Sequence, residues 1–237
     1  MSLRLAACFL VYTMGCGGCY YDVAPAHFDL GVVDEAVPAL DLAGTDGAVC
    51  PSGAMRVHTG ELSEMPIDGW GAASIGGSDA GTTDVTFDTR RLAAGAGSLR
   101  LETSATQAGL FYPKTRDAAY DLTQQLYVSF SVTADDSSAA NDPGWRGSQP
   151  HVLVVSTSDD YFEYVPDGNR LPRVPGSFVG LTVPLAGGSG WTRNVYGSPD
   201  LSKVKYLAWV FDTWGAGFTL WLDDVRIGPA PFADCGG

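Results

Sequence analysis

The chain of 237 residues carries 27 acidic and 14 basic residues, which gives a formal net charge of −13 at pH 7. Nucleic-acid phosphates and anionic lipid headgroups are bound through basic surfaces, so this charge excludes a nucleic-acid partner and membrane adsorption through a basic patch. Thirty glycines and fourteen prolines predict frequent turns, which favours many short strands over long helices.

The N-terminus has the pattern of a secretory signal peptide, predicted over residues 1–15. Arg4 gives a positively charged start, and the apolar run Leu5–Met14 follows it. Ten residues are too few to span a bilayer, which needs about 20, but they match the apolar region of a signal peptide. Gly15-Cys16 then resembles the lipobox of bacterial lipoproteins, in which the cysteine becomes the lipidated N-terminus; Cys19 is a second candidate. We therefore expect an exported lipoprotein, anchored at the outer membrane or cell surface through lipid on Cys16.

Residues 16–49 show neither a helical nor a strand period and are rich in Ala, Asp, Val and Pro. Six of the acidic residues lie between Leu5 and Met55, where no Lys or Arg occurs. This composition predicts a disordered acidic spacer. Cys50 and Cys235 bracket the rest of the chain, and in an oxidising compartment such a pair is expected to form a disulfide.

Ten segments after Cys50 carry apolar runs bounded by Gly, Pro, Asp and Ser, which is the pattern of short strands. The segments are Trp70–Ile75, Asp84–Asp88, Ser98–Thr103, Gly109–Tyr112, Leu126–Thr133, His151–Ser156, Tyr161–Val165, Phe178–Pro184, Val204–Asp212 and Phe218–Ile227. The one helix candidate is Arg116–Thr123. About ten strands without intervening helices predict an all-β, antiparallel β-sandwich that forms a single domain over residues 50–237.

Two features of these strands can be predicted from their alternation. In Leu126–Thr133 the polar residues at 127, 129 and 131 share one face and the apolar residues share the other, so we expect one wet and one buried face. Trp70, Trp209 and Trp221 lie inside strand patterns and are assigned to the core.

The order of segments from Gly97 onward resembles that of a known fold. The segments that carry the resemblance are Gly97–Glu102, Tyr120–Thr123, Phe178–Leu185, Pro199–Leu207 and the terminal Leu220-Trp-Leu-Asp-Asp-Val-Arg-Ile227. Together they resemble the galactose-binding-like jelly rolls, in particular the carbohydrate-binding modules appended to polysaccharide-degrading enzymes. The resemblance covers roughly residues 58–228 and implies a monomeric, non-catalytic jelly-roll module whose partner is a polysaccharide.

The last strand also carries a candidate metal ligand. Asp223 shares its parity with Val225 and Ile227, so the sequence predicts that it faces the core. A buried carboxylate needs a partner or a cation. In the resembled family the first Asp of such an Asp-Asp pair often binds a structural Ca²⁺ with an acid near the first strand, here Glu61 or Glu64. The alternative is that Asp223 accepts hydrogen bonds from backbone amides or pairs with an arginine, without metal.

A sugar-binding face needs exposed aromatic rings for the C–H faces of the sugar and fixed polar groups for its hydroxyls. Aromatic residues with polar neighbours occur in several turn-rich segments and in one alternating strand, where Tyr161 and Glu163 share a face. The candidate ligand-binding residues are Trp145, Arg146, Tyr161, Glu163, Trp191, Arg193 and Trp214. For each of them, packing in the core or a solvated loop position is the alternative.

Two other functions compete with sugar binding. Gln149-Pro-His151 and Tyr161-Phe162-Glu163 resemble two motifs of alginate-lyase-like jelly rolls, which abstract a proton and neutralise a uronate. The lysine that follows in that family is absent, and the two motifs are too close together for its separate strands, so we expect no enzyme. The third function is a structural or adhesive surface lipoprotein with no sugar ligand.

Overall fold

In the computed structural model, the described residues are 55–58, 69–75, 82–104, 107–114, 119–134, 148–172, 174, 176–212, 218–229 and 231. Within these ranges the chain forms twelve β-strands. They are β1 (Met55–His58), β2 (Gly71–Ile75), β3 (Thr83–Asp88), β4 (Ser98–Thr103), β5 (Gln107–Tyr112), β6 (Tyr127–Ala134), β7 (His151–Ser156), β8 (Tyr161–Pro166), β9 (Val179–Pro184), β10 (Trp191–Tyr196), β11 (Val204–Asp212) and β12 (Phe218–Gly228). A single 3₁₀ turn, Leu201–Lys203, precedes β11 among the described residues.

The strands form two six-stranded sheets, and the strand pairs are antiparallel. The first sheet has the order β3-β4-β12-β6-β9, with β1 also paired to β12. The second sheet has the order β10-β8-β7-β11-β5-β2. The predicted all-β, antiparallel sandwich is therefore confirmed, and β1 and β10 are two strands that the apolar pattern did not predict.

The core lies between the two sheets and is filled by alternate residues of each strand. From the second sheet, Leu207, Trp209 and Phe211 of β11 point inward. The ring of Trp209 lies 5.4 Å from that of Trp70 and 6.1 Å from that of Phe130, measured between centroids. These rings confirm the assignment of Trp70 and Trp209 to the core.

Trp221 is buried on the opposite face of the first sheet. Its neighbours Leu220 and Leu222 belong to the core between the sheets, so Trp221 points outward. The loop between β3 and β4 covers it: the guanidinium of Arg91 lies 4.2 Å from the ring centroid, and Nε1 donates to Asp88 Oδ2 at 2.8 Å. Trp221 is buried, as expected, but beneath a loop rather than between the sheets.

The expectation of a wet face on β6 is wrong. Ser129, Ser131 and Thr133 are all buried, with 3%, 4% and 0% of their surfaces exposed. β6 lies between β12 and β9, so side chains of both neighbours cover its polar face. Ser129 Oγ lies 3.2 Å from Thr182 Oγ1 of β9, so these two hydroxyls can hydrogen-bond each other.

The segment predicted as a helix candidate forms a strand bridge and a turn, and no helix, where it is described. Tyr120 forms an isolated antiparallel bridge with Val204, with N···O distances of 2.8 and 2.9 Å in the two directions. The amide of Leu122 donates to the carbonyl of Leu201 at 2.8 Å. The described residues include no helix with the length and apolar character needed to cross a membrane.

The parity argument for Asp223 is also wrong, because β12 contains a β-bulge. The register with β6 shifts between Asp223 and Arg226, and Asp224 has a φ of 48°. Leu222 and Val225 both belong to the core, so two residues rather than one separate successive core positions. Asp223 therefore shares the outer face with Trp221 and does not point between the sheets.

Candidate functional site

The candidate site lies on the face of the second sheet that points away from the core, at the end where β8 and β10 form its edge. Along β8, Phe162 and Tyr164 belong to the core, so Tyr161 and Glu163 point outward, as their alternation predicted. The β8–β10 register places Tyr196 opposite Tyr161 and Asn194 opposite Glu163. Residues that pair across an antiparallel ladder share a face, so all four side chains lie together.

Glu163 is the centre of a hydrogen-bond network on this face. Its Oε1 lies 2.8 Å from His151 Nδ1 of β7. Its Oε2 accepts from Asn194 Nδ2 and from the Tyr196 hydroxyl, both at 3.1 Å. We call His151, Tyr161, Glu163, Asn194 and Tyr196 the Glu163 cluster. Three strands contribute to it, so the fold holds its polar groups in fixed positions.

The electrostatics of the cluster favour an ionised carboxylate. Burial raises the pKa of Glu163, but hydrogen bonds from His151, Asn194 and Tyr196 and the attraction of His151 outweigh it, and the net pKa lies below the ordinary value. Burial, with a smaller contribution from the Glu163 charge, raises the pKa of the Tyr161 hydroxyl. The cluster therefore presents an ionised carboxylate beside neutral phenols at neutral pH.

Two stacked rings border the carboxylate. Tyr161 and Tyr196 lie 4.6 Å apart between ring centroids with an interplanar angle of 23°. Tyr196 is 41% exposed. Tyr161 also packs against a second, smaller apolar cluster that covers the same face. The members of this apolar cluster are Ala73, Phe111, Leu153, Val155, Tyr206 and Ala208.

The structure separates the other predicted residues of this region from the site. The sequence predicted a loop at Trp191, Arg193 and Tyr196, whereas the structure has strand β10. Trp191 is 6% exposed and belongs to the core, and the Arg193 guanidinium lies 3.8 Å from the ring centroid of Phe162, on the core side of β8. The alternation of β10 thus places these two candidates on the face opposite the Glu163 cluster.

Sequence reasoning missed Asn194, and it noted Tyr196 in a loop without including it among the candidate ligand-binding residues. The signal that was available is the alternation of Thr192, Asn194 and Tyr196, which a strand assignment for 191–196 would have placed on one face. Several of the predicted residues fall outside the described residues: Trp145, Arg146 and Trp214 for the ligand, Glu61 and Glu64 for the metal, Cys16 for lipidation, and Cys50 and Cys235 for the disulfide.

Gln149, which resembled a lyase residue in sequence, has a structural role. It is 1% exposed. Its Nε2 donates to the carbonyl of Asp212 at 2.9 Å, and its Oε1 accepts from the amide of Asp212 at 3.1 Å. Both ends of the side-chain amide are engaged with the β11 backbone, so Gln149 has no end left to neutralise a uronate.

Asp223 is surrounded by hydrogen-bond donors. It is fully buried, its Oδ2 accepts from the amides of Ala93 at 2.6 Å and Ala94 at 3.0 Å, and its Oδ1 accepts from the amide of Asp224 at 2.7 Å. Backbone amides therefore partner this buried carboxylate in the described part of the chain, and they use three of its roughly four lone pairs. Among the described residues, no group of three or more His, Cys, Asp or Glu side chains is placed to hold a metal. Calcium stays a prediction that depends on Glu61 and Glu64.

The fold was compared with solved structures. The chain is similar to a family 11 carbohydrate-binding module from Clostridium thermocellum in complex with a β-1,3-1,4-mixed-linked tetrasaccharide, with 11% identity and a TM-score of 0.50 over 76% of this chain and 97% of that chain. It is also similar to part of an exo-β-agarase, with 14% identity and a TM-score of 0.52 over 74% of this chain and 25% of that chain.

Comparison of the sequence alone gives no relative: no protein-family model matches it, and no curated protein sequence does. At 11–14% identity the two structures show the fold alone. The resemblance predicted from the terminal strand is confirmed at that level: this chain is a jelly-roll β-sandwich of the kind found in carbohydrate-binding modules.

Proposed function

We propose that this protein binds a polysaccharide without cleaving it, through the outer face of the second sheet. The observation that carries the proposal is the Glu163 cluster. Stacked tyrosine rings lie beside an ionised carboxylate whose three partners hold it in place. Rings of this kind pack against the C–H faces of a sugar, and the polar groups bond its hydroxyls.

The similar module supports the proposal, because it was solved with a mixed-linked tetrasaccharide bound. The similar part of the exo-β-agarase covers only 25% of that enzyme's chain, which fits a module that accompanies a catalytic domain. We therefore propose that polysaccharide is the partner and that the protein acts as a monomer, which light scattering after size exclusion will test.

Affinity gel electrophoresis of the full chain through soluble polysaccharides tests the proposal. The panel contains mixed-linked β-glucan, xylan, agarose and alginate. We expect retardation by at least one polymer, with no shortening of that polymer. Retardation by none of them would leave the structural or adhesive function, and a shortened polymer would mean a lyase or a hydrolase.

Tyr196→Ala locates the binding face. Loss of one stacking ring is expected to weaken binding about tenfold, which corresponds to about 1.4 kcal/mol. Tyr127→Ala is the matched control, because Tyr127 is a partly exposed tyrosine of the first sheet. Equal effects of the two substitutions, or no effect of Tyr196→Ala, would place the ligand elsewhere.

We also propose that the protein is exported and held at the outer membrane or cell surface by lipid on Cys16. The support is the sequence of the first 16 residues. Labelling of the expressed protein with a radioactive fatty acid is expected for the native chain and not for Cys16→Ser. Undiminished labelling of Cys16→Ser, with loss in Cys19→Ser, would move the anchor to Cys19.

A further inference from the structure

His151 has one ring nitrogen engaged with the protein and one directed elsewhere. Nδ1 lies 2.8 Å from Glu163 Oε1. An ionised carboxylate only accepts hydrogen bonds, so Nδ1 carries the proton and donates it to Glu163. This fixes the tautomer of the neutral ring: Nε2 is then an acceptor, and after protonation of the ring it becomes a donor that carries positive charge.

Nε2 is placed where a ligand on this face would meet it. His151 is the first residue of β7, its side chain is 32% exposed, and no described residue hydrogen-bonds Nε2. Opposite His151 on β11 lies Val210, which cannot bond it. When the His151 imidazole is protonated, its accessible Nε2 therefore changes from a hydrogen-bond acceptor into a donor.

The groups that face His151 are otherwise acidic or neutral. Within the described part of the chain, β8 contributes Glu163 and Tyr161, β10 contributes Tyr196, and β11 contributes Asp212 two residues beyond Val210. With neutral His151, the Glu163 carboxylate is the charge of the Glu163 cluster, and it repels ligands that carry uronate or sulfate groups. Protonated His151 would add a donor with positive charge to the cluster.

We propose that His151 determines which polysaccharides this face accepts. With a neutral His151 the face binds neutral polysaccharides and excludes acidic ones, and protonation of His151 admits acidic polysaccharides through a charged hydrogen bond from Nε2. This inference rests on the proposed function and adds the ligand charge and its regulation by pH.

The test uses the full chain, with alginate as the acidic probe and mixed-linked β-glucan as the neutral one, at about pH 5.5 and about pH 8, where uronates stay ionised. For the native chain we expect alginate binding about tenfold tighter at the lower pH, and β-glucan binding changed by less than about twofold. His151→Gln keeps an amide donor for Glu163 and cannot be protonated, so its alginate binding should not tighten at the lower pH.

A charge variant tests the exclusion separately. Glu163→Gln removes the carboxylate, so at about pH 8 alginate should bind this variant more tightly than it binds the native chain. Asp84→Asn is the matched control, because it removes one exposed carboxylate from β3 of the first sheet and should leave alginate binding at about pH 8 unchanged.

Three outcomes would overturn the inference: no alginate binding at the lower pH, equal alginate binding at both pH values, or a gain at the lower pH that persists in His151→Gln. In the last case, the tighter alginate binding at the lower pH would come from the overall net charge, which is −13 at pH 7. If β-glucan is bound in any of these cases, the proposed function stands and only the role of His151 falls. Binding of no polysaccharide at either pH would remove both.

Discussion

Glu163 is a carboxylate with only 18% of its side chain exposed, and it is nevertheless held ionised. Burial alone would favour the neutral acid, and three hydrogen-bond donors reverse that preference. Because the three donors bond the charged form of Glu163, the free energy of unfolding depends on whether Glu163 is ionised and therefore on pH.

The sign of the effect follows from the lowered pKa of Glu163 in the folded protein. Its contribution to the free energy of unfolding is fully present above the ordinary value of 4.5 and is lost as pH falls through the lower folded pKa. We expect urea unfolding to show a gap between native chain and Glu163→Gln that is largest above this value and narrows in more acidic buffer.

Glu102→Gln is the matched control for this titration. Glu102 lies on β4 of the first sheet with 50% of its side chain exposed, and among the described residues it pairs with Arg100, whose side chain is 34% exposed. Exposed pairs contribute little, so its unfolding free energy should run parallel to that of the native chain across the same pH range. A gap between the native chain and Glu163→Gln that stays constant with pH would contradict the assignment to the carboxylate.

Strands β8 and β10 show which parts of the site can be predicted from the sequence. Tyr161 and Glu163 lie in a strand with clear alternation, so their common face was predictable. Trp191 and Arg193 lie in β10 at the edge of its sheet, where the charged Arg193 interrupts the apolar parity of Trp191 and Val195 and so obscures the inward face. The position of β10 at the sheet edge decides which of its faces points inward. That position depends on pairing with strands that are distant in sequence.

At the scale of elements, hydrogen bonds join the β3–β4 loop to the bulged part of β12. The bulge turns the Asp223 carboxylate to the outer face, where it accepts the amides of Ala93 and Ala94. In the same loop the Arg91 guanidinium lies against the ring of Trp221. The sequence carries no signal for a bulge. Alternation alone therefore assigns the wrong face to Asp223 when it is counted across residues 222–225.

Asp223→Ala should release this loop. The amides of Ala93, Ala94 and Asp224 would lose their acceptor, and leaving a buried donor unpaired costs roughly 1–3 kcal/mol of unfolding free energy. Hydrogen exchange at Ala93 and Ala94 should accelerate, while Asp84→Ala on exposed β3 leaves it unchanged.

A Tm measurement with added Ca²⁺ or EDTA tests the calcium prediction. If Asp223 binds calcium with Glu61 or Glu64, Ca²⁺ should raise the Tm of the native chain and the rise should disappear in Asp223→Ala. An unchanged Tm would leave the three backbone amides as the partners of Asp223.

At the scale of the whole molecule, the first and last strands lie side by side. β1 pairs with the second half of β12, with Met55 opposite Ile227, while β4 pairs with the first half. Because the pair is antiparallel, the chain before Met55 and the chain after Ile227 leave the sheet at the same end. The β1–β12 pairing supports the proposed disulfide between Cys50 and Cys235, which lie outside the described residues.

The reach of the chain allows this disulfide. Cys50 is five residues before Met55 and Cys235 is eight after Ile227, which correspond to about 17 Å and about 27 Å at full extension. A crosslink between positions 50 and 235 would close a loop of about 185 residues, which in the chain-entropy model stabilises the fold by about 5 kcal/mol before strain.

A double-mutant cycle on the full chain tests the crosslink. Cys50→Ser and Cys235→Ser should each lower the free energy of unfolding by the same few kcal/mol, and the double variant should lose no more than either, because both changes remove one bond. Cys19→Ser is the matched control and should leave stability unchanged. Additive losses, or both cysteines reacting with a thiol reagent in the unfolded, unreduced protein, would show that the two ends are joined only by the β1–β12 ladder.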